Sequence, residues 1–312
     1  MRHAARTGRR CRGGVGDEGR DWESMFRRIM VPLDGSELAE RALPCAERLA
    51  RLTGATLHLV RVAGPVFETT DAAVPEAVYA DFLVAEMRAA EAYLERERAR
   101  VDAAGLTVQA RRISGTIAGA LLIDERDAGI DLVVLCSHGR GAVTRFALGS
   151  VAERLLRHGA APVLLVRAFG QPVALERAVV PLDGSALAEE ALRVVAALVP
   201  ALVQKVTLLR AIHTPEEGPE AERYLEEVAH RVQREGVIRG GERGCRRQVA
   251  LGDPAQAIID AAGTDKLVVM TTHGRSAVLR WALGSVADRV ARGGAAAVLL
   301  VRASAPPGVI GT

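Results

Sequence analysis

The chain has 312 residues, which indicates about two domains because single cores rarely grow past roughly 250 residues. Aromatic residues make up only 3%, which does not suit a base-stacking module, and the net charge of +3 gives no strong bias toward nucleic acid. The four cysteines lie far apart and no apolar run nears about 18 residues, so we expect no disulfide framework, zinc site or membrane span and a cytoplasmic location.

Residues 1–25 precede the first predicted strand and are rich in arginine. They lack an apolar core, so they do not resemble a secretory signal. Three interpretations remain open, namely a disordered tail, a mis-called start and an interaction arm. Met25 stands directly before the first strand, which favours the first two.

Short apolar runs alternate with amphipathic helical patterns along the chain, and the series occurs twice. In the first copy, strands are predicted at Arg28–Leu33, Thr56–Val62, Thr107–Ile113, Leu132–Cys136 and Val163–Val166, and helices at Glu37–Leu52, Ala77–Ala104, Ile117–Ala128 and Ser150–His158. In the second copy, strands are predicted at Ala178–Leu182, Val206–Ala211, Arg247–Leu251, Leu267–Thr271 and Ala297–Val301, and helices at Ala186–Val199, Glu217–Glu235, Ala255–Ala262 and Ser285–Arg292. Strands joined through helices predict a parallel sheet covered on both faces.

Two sequence segments each occur twice in the chain with few differences. MVPLDGSELAERAL, from Met30, matches VVPLDGSALAEEAL, from Val179, in eleven of fourteen positions at an offset of 149. Ser137–Arg157 matches Thr272–Arg292 in fourteen of twenty-one positions at an offset of 135. This period predicts a domain duplication, with two five-stranded parallel-sheet domains of Rossmann-like type joined by a short linker. The predicted domains are residues 26–168 and 177–304.

The first repeated segment ends a strand with Asp34-Gly35-Ser36, and its counterpart contains Asp183 and Ser185. One interpretation is a turn and helix cap, which these residue types favour. The other is a carboxylate that accepts hydrogen bonds from a ribose hydroxyl or an adenine amino group. Either serine can satisfy the cap by itself, so the recurring aspartate favours the ligand interpretation.

The second repeated segment follows the fourth strand of each copy, where an open parallel sheet binds its ligands beyond the strand ends. His138-Gly139 is followed by nine residues and then Gly149-Ser150, a spacing that the second copy repeats. Glycines allow close backbone approach to a phosphate, and a helix start supplies free N–H groups. The alternative is a capping box, Ser150-x-x-Glu153, in an empty site. The histidine is more typical of a packed loop residue than of a catalyst.

These residues together resemble the ATP-binding branch of the universal stress protein family, as a tandem pair over roughly residues 26–304. The resemblance implies an adenine nucleotide alpha hydrolase-like fold, ATP as ligand, with Mg²⁺, and a dimer formed by the last strand. In the first copy the implied binding residues are Pro32, Asp34, Val62, Leu135, His138, Gly139, Arg140, Gly149, Ser150 and Val151. In the second they are Pro181, Asp183, Ala211, Met270, His273, Gly274, Arg275, Gly284, Ser285 and Val286.

This chain departs from the family pattern at the first motif glycine, which is Cys136 in one copy and Thr271 in the other, so we expect unequal sites. The near-identical last strands predict an intramolecular pseudo-dimer, since two unpaired edges would promote aggregation; a further homodimer is an open alternative. We expect a stress or signalling protein with an unknown protein partner and at most weak ATPase activity. A nucleotide-independent interaction module and an enzyme of the same fold, such as a phosphatase or nucleotidyl transferase, are the alternatives. No catalytic or metal-binding set is predicted.

Overall fold

The computed structural model describes residues 25–63, 76–137, 148–167, 175–198, 203–236, 244–273 and 283–302, without the side chains of residues 76–80. The strands of the first copy are β1 (Arg28–Pro32), β2 (Thr56–Val62), β3 (Val108–Ile113), β4 (Leu132–Cys136) and β5 (Val163–Val166). Its helices are α1 (Glu37–Glu40), α2 (Leu43–Thr53), α3 (Glu76–Ala103), α4 (Ile117–Asp127) and α5 (Ser150–His158). Of the arginine-rich residues 1–25, only Met25 lies within the described part.

The second copy repeats this order. Its strands are β6 (Arg177–Pro181), β7 (Lys205–Ile212), β8 (Cys245–Leu251), β9 (Leu267–Thr271) and β10 (Ala297–Val301). Its helices are α6 (Ala186–Leu198), α7 (Gly218–Arg234), α8 (Pro254–Ala262) and α9 (Ser285–Gly293), with a short 3₁₀ turn at Pro215–Glu217 before α7. The shorter second copy is explained in part by α7, which has 17 residues where α3 has 28.

All ten strands form one sheet in the order β3-β2-β1-β4-β5-β10-β9-β6-β7-β8. Within each copy neighbouring strands run parallel, and the order reverses between the first and fourth strands. β5 and β10 pair antiparallel, with Leu164 opposite Leu299, and this pairing joins the copies. The predicted fold class, two parallel-sheet units in an intramolecular pseudo-dimer, is confirmed.

The two faces of this sheet carry separate hydrophobic clusters. Leu164 and Leu299 belong to the cluster on one face, whereas their neighbours Leu165 and Val298 belong to the cluster on the other. Because alternate residues of a strand point to opposite faces, strands covered on both sides must be apolar throughout. β4, β5, β9 and β10 are fully buried and fit that description.

One predicted helix was wrong. The segment predicted as a single helix, Glu37–Leu52, is divided into α1 and α2 at residues 41–42. Pro44 lies in the first turn of α2, where its missing N–H is tolerated, but its ring clashes with the carbonyl of Glu40 in a continuous helix. The matching position in α6 is Arg193, and α6 is unbroken.

Candidate functional site

A cavity of about 280 Å³ lies at the carboxyl ends of β6 and β9, where the strand order of the second copy reverses. This volume is near the lower end of the roughly 300–1,000 Å³ typical of small-molecule sites. The structure brings eight of the ten predicted second-copy residues to its wall: Pro181, Asp183, Ala211, Met270, His273, Gly284, Ser285 and Val286. Gly274 and Arg275 lie outside the described residues.

The rim at β6 is an ordered turn built around Asp183. Asp183 Oδ1 accepts hydrogen bonds from the Ser185 N–H at 2.9 Å and the Ser185 hydroxyl at 2.6 Å. Ser185 Oγ in turn accepts the N–H of Ala188 in the first turn of α6, at 3.1 Å. Gly184, between them, has a φ of 83°, which favours glycine.

The same turn occurs in the first copy, where Asp34 Oδ1 accepts from the Ser36 N–H at 2.9 Å and from its hydroxyl at 2.6 Å. Ser36 Oγ accepts the Ala39 N–H at 3.2 Å. The prediction that the serine caps the helix is confirmed, and the carboxylate in addition accepts a hydrogen bond from the capping hydroxyl. Recurrence of the aspartate has a structural reason as well as a ligand interpretation.

The opposite rim is the start of α9, where the backbone closes a loop after β9. The Gly284 N–H donates to the carbonyl of Thr272 at 2.9 Å, and Gly284 is the residue that caps the helix. A Cβ at residue 284 would lie 2.8 Å from that carbonyl oxygen, so only glycine fits without a shift. In the first copy the Gly149 N–H donates to the carbonyl of Ser137 at 3.0 Å.

The capping-box interpretation of these helices was wrong. Ser150 and Ser285 are the first helical residues rather than the caps, and neither helix has a side-chain cap. The first N–H groups of a helix have no partner within it and give its start a partial positive charge. The Ser285 hydroxyl lines the cavity beside them. This rim therefore offers hydrogen-bond donors to an anion.

Thr271, which replaces the first motif glycine, leaves the cavity open. Its hydroxyl donates to the backbone carbonyl of His273 at 2.7 Å, within its own loop. The Thr272 hydroxyl lies 3.0 Å from His273 Nδ1, and His273 Nε2 is enclosed with no hydrogen-bond partner among the described residues. The threonine thus shapes the loop instead of filling the site.

One charged residue of the cavity wall was not predicted from the sequence. Arg210 of β7 lines the cavity, and its guanidinium stacks over the Tyr224 ring, 4.9 Å from the ring centre. The Tyr224 hydroxyl donates to Glu189 at 2.8 Å, and burial raises the pKa of this tyrosine. The cavity wall also includes Glu217, so it contains basic as well as acidic residues.

The first copy contains the same cluster. Arg61 of β2 is buried and lies 5.2 Å from the centre of the Tyr93 ring, and the Tyr93 hydroxyl donates to Glu40 at 3.0 Å. The available signal was an arginine at the same position in two mainly apolar strands. Its tyrosine partner lies on the next α-helix, but at a different sequence separation in each copy, so a fixed spacing does not indicate it.

The other predicted first-copy residues occupy equivalent places. Pro32 ends β1, Val62 ends β2, and Leu135, Val62 and Val151 pack in one hydrophobic cluster near the start of α5. Cys136, in the place of Thr271, is buried. His138, Gly139 and Arg140 lie outside the described residues.

The described part of the chain contains neither a metal-binding cluster nor a membrane-spanning helix. No group of three or more His, Cys, Asp or Glu side chains is arranged to hold a metal ion there. None of the helices in that part combines the length and apolar character needed to cross a membrane.

Comparison with known proteins gives the family of this chain. The model of the universal stress protein family matches residues 25–167 and again residues 175–302. A universal stress protein of Mycolicibacterium smegmatis is 30% identical over 291 residues, which cover 88% of this chain and 96% of that relative. A crystal structure of a universal stress protein from Archaeoglobus fulgidus shares the fold, with a TM-score of 0.69 at 17% identity, covering 89% of this chain and 99% of that one. The chain belongs to the universal stress protein family.

Proposed function

We propose that this chain binds an adenine nucleotide, ATP carried with Mg²⁺, at one site in each copy and acts in stress response or signalling through an unidentified protein partner. The observation that carries the proposal is the second-copy cavity. It has a carboxylate on one rim and an uncapped helix start on the other, and both rims recur in the first copy.

The chemistry of the cavity fits the three parts of the ligand. Met270 and Ile258 provide apolar surface for a purine. The Asp183 carboxylate accepts hydrogen bonds from ribose hydroxyls or from the adenine amino group. The start of α9 donates to phosphate oxygens, since helix N-termini favour anions. Glycine at residue 284 lets this helix start lie against the Thr272 carbonyl, which a Cβ would meet at 2.8 Å.

Mg²⁺ fits the site only as part of the nucleotide. The described residues include no group of carboxylates able to hold the ion alone. Mg²⁺ is commonly bound through substrate phosphates and retained waters, and in that form it neutralises phosphate charge. The residues that would hold the complex are those of the helix rim, Gly284 and Ser285.

Hydrolysis in this proposal is slow. A general base must reach the attacking water with a free acceptor. In this proposal the Asp183 carboxylate accepts from Ser185 and from the ribose or adenine, away from the phosphates, and Glu217 accepts the backbone N–H of His213 at 3.2 Å. Neither carboxylate is an evident base, so we propose a binding protein and not an efficient ATPase.

The test measures ATP-Mg²⁺ affinity by calorimetry for the wild type, Asp34→Asn, Asp183→Asn and the double variant. Asparagine keeps an oxygen that accepts from the serine, so the cap survives while the charge is lost. Removing a charged hydrogen bond of about 1.5–3 kcal/mol should weaken each site about 10- to 100-fold. The competing ligands ADP and cyclic AMP rank the preferred nucleotide.

Asp131→Asn is the matched control. Asp131 directly precedes β4, at the opposite end of the strands from the cavity, and its carboxylate accepts hydrogen bonds from the backbone N–H groups of Arg27 and Arg28. We expect its affinity to equal that of the wild type. Nucleotide released on denaturing the purified protein would support the same conclusion. Equal affinity in the wild type and the double variant would overturn the proposal and favour a nucleotide-independent interaction module.

A further inference from the structure

The helices that begin at the two candidate sites end against the opposite copy. α9 starts at the second-copy cavity, and its last carbonyls meet Arg167, the residue that follows β5 of the first copy. Arg167 donates from Nε to the carbonyl of Ala296 at 2.6 Å, and from its two terminal nitrogens to the carbonyls of Ala291 at 2.5 Å and Val290 at 3.1 Å.

The reciprocal contact occurs at the end of α5. Arg302, which follows β10 of the second copy, donates to the carbonyl of Arg157 at 2.7 Å and to the carbonyl of Gly159. The exchange follows from the antiparallel pairing of β5 with β10, since the end of each strand lies beside the helix of the other copy. The equivalent arginine of each copy therefore makes the same kind of contact with the other copy.

The charges suit this position. The last carbonyls of a helix carry a partial negative charge and have no partner within the helix, so a guanidinium there is favourable. Burial lowers the pKa of Arg167 to about 10, which leaves it charged at neutral pH. A further cross-copy pair joins the two helices, with Arg292 of α9 at 3.4 Å from Glu153 of α5.

Each helix is short enough for its two ends to move together. Nine helical residues span about 14 Å, and a helix held by its main-chain hydrogen bonds behaves as a rigid rod over that distance. Fixing the last turn of α9 therefore fixes the direction of its first turn, where Gly284 and Ser285 border the cavity.

We infer that Arg167 and Arg302 are positioning residues for the nucleotide site of the opposite copy, because each anchors the far end of the helix whose start donates to the ligand. This inference rests on the proposed nucleotide binding. Each site is then complete only when the other copy is in place.

The experiment isolates one site at a time in the full chain. In the Asp34→Asn background only the second-copy site is intact, and Arg167→Met should weaken ATP-Mg²⁺ binding about tenfold while Arg302→Met leaves it unchanged. In the Asp183→Asn background the pattern should reverse. Arg126→Met, at a side chain 77% exposed on α4, is the control and should change neither site.

A second readout needs no nucleotide. Backbone amide hydrogen exchange in the ligand-free chain should quicken in α9 for Arg167→Met and in α5 for Arg302→Met. Arg→Lys at each position should restore part of both effects, because an ammonium keeps the charge with fewer fixed donors. If the Met variants do not fold, the Lys variants should show the same crossed pattern at smaller amplitude.

The crossed pattern separates positioning from general destabilisation, which would affect both sites alike. Equal weakening of both sites by either arginine variant, or no change in either helix, would overturn the inference. If the Asp34→Asn and Asp183→Asn chains bind no nucleotide at all while exchange still changes in the crossed manner, the proposed ligand fails and the anchoring stands.

Discussion

His58 is a buried histidine in the middle of β2, 4% exposed, and neither of its ring nitrogens has a hydrogen-bond partner among the described residues. Burial lowers its pKa below the usual 6.5, the guanidiniums of Arg111 and Arg28 lower it further, and only Asp124 of α4 opposes them. The folded chain therefore holds this ring neutral. In the second copy the same strand position is Thr207.

We expect His58 to make the protein sensitive to mild acid. Because the folded pKa is lower than the unfolded one, the unfolded chain binds the proton first as the pH falls below about 6.5, so the free energy of unfolding decreases there, by at most about 1.4 kcal/mol per pH unit. His58→Thr should flatten that decrease in denaturant titrations at pH 7.5 and 5.5. His230→Thr, on the exposed surface of α7, should not; an unchanged slope in His58→Thr would contradict the prediction.

The sequence indicates individual residues more readily than it indicates which residues contact each other. Asp34, Asp183 and Gly284 were selected as candidates because they recur, or have counterparts, at fixed spacings. Arg210 was not predicted as part of the site, because its stacking on the Tyr224 ring is visible only in the structure. The serine after Gly149 was taken for a cap because the residue types suit both the cap and the first helical position.

Among the elements, the start of α9 lies directly against the residues that follow β9. Gly284 both donates to the Thr272 carbonyl and lies too close to it for a side chain. The helix start can reach the cavity only while this closure holds. Its geometry is thus a condition for the second-copy site.

Gly284→Ala should therefore cost about 1–3 kcal/mol in the free energy of unfolding, as overpacking against fixed backbone does, and should weaken ATP-Mg²⁺ binding at the second-copy site. Denaturant unfolding and calorimetry measure the two effects. Gly218→Ala is the control for a Cβ added in open space, because that Cβ meets nothing within 4 Å, and it should leave ATP-Mg²⁺ binding unchanged. We expect no gain in its free energy of unfolding, since Pro219 follows and disfavours helical backbone at a residue that carries a Cβ. A Gly284→Ala chain as stable and as tightly binding as the wild type would refute the closure.

The boundaries of elements followed from apolar periodicity wherever a strand is buried on both faces, as in β4, β5, β9 and β10. The break between α1 and α2 did not, because the apolar pattern continues through it. Pro44 was the available signal, and the unbroken α6 with Arg193 in its place shows how local that effect is.

For the whole molecule, the antiparallel pairing of β5 with β10 turns two five-stranded sheets into one of ten. All four residues of β5 and all five of β10 are buried, and each strand lies between the two hydrophobic clusters. Such a strand left without a partner would expose a row of hydrogen-bonding groups beside apolar side chains.

Residues 25–167 expressed alone should consequently form a homodimer through β5, because the Leu164 position that normally meets Leu299 can pair with its own copy. Light scattering on the purified fragment at micromolar concentration measures its mass, and residues 25–302 serve as the comparison in which both strands are already paired. A fragment that remains monomeric would show that the edge is protected in another way.

The duplication, and with it the pseudo-dimer, was predictable because the last strands are nearly identical in sequence. The crossed anchoring by Arg167 and Arg302 was not, although both arginines are visible at the ends of those strands. The carbonyls that Arg167 and Arg302 contact depend on the antiparallel direction in which β5 pairs with β10. The sequence pattern does not indicate this direction.

Because the two copies are joined in one polypeptide, a substitution in one copy does not appear in the other. In a homodimer any mutation appears on both sides of the axis at once, so a change that harms one pocket harms its twin. In this chain the position of Cys136 in the first copy is occupied by Thr271 in the second, and that of His58 by Thr207. Equivalent positions of the two copies need not carry the same residue. A single chain can therefore keep the residues of one candidate site constant while those of the other copy change.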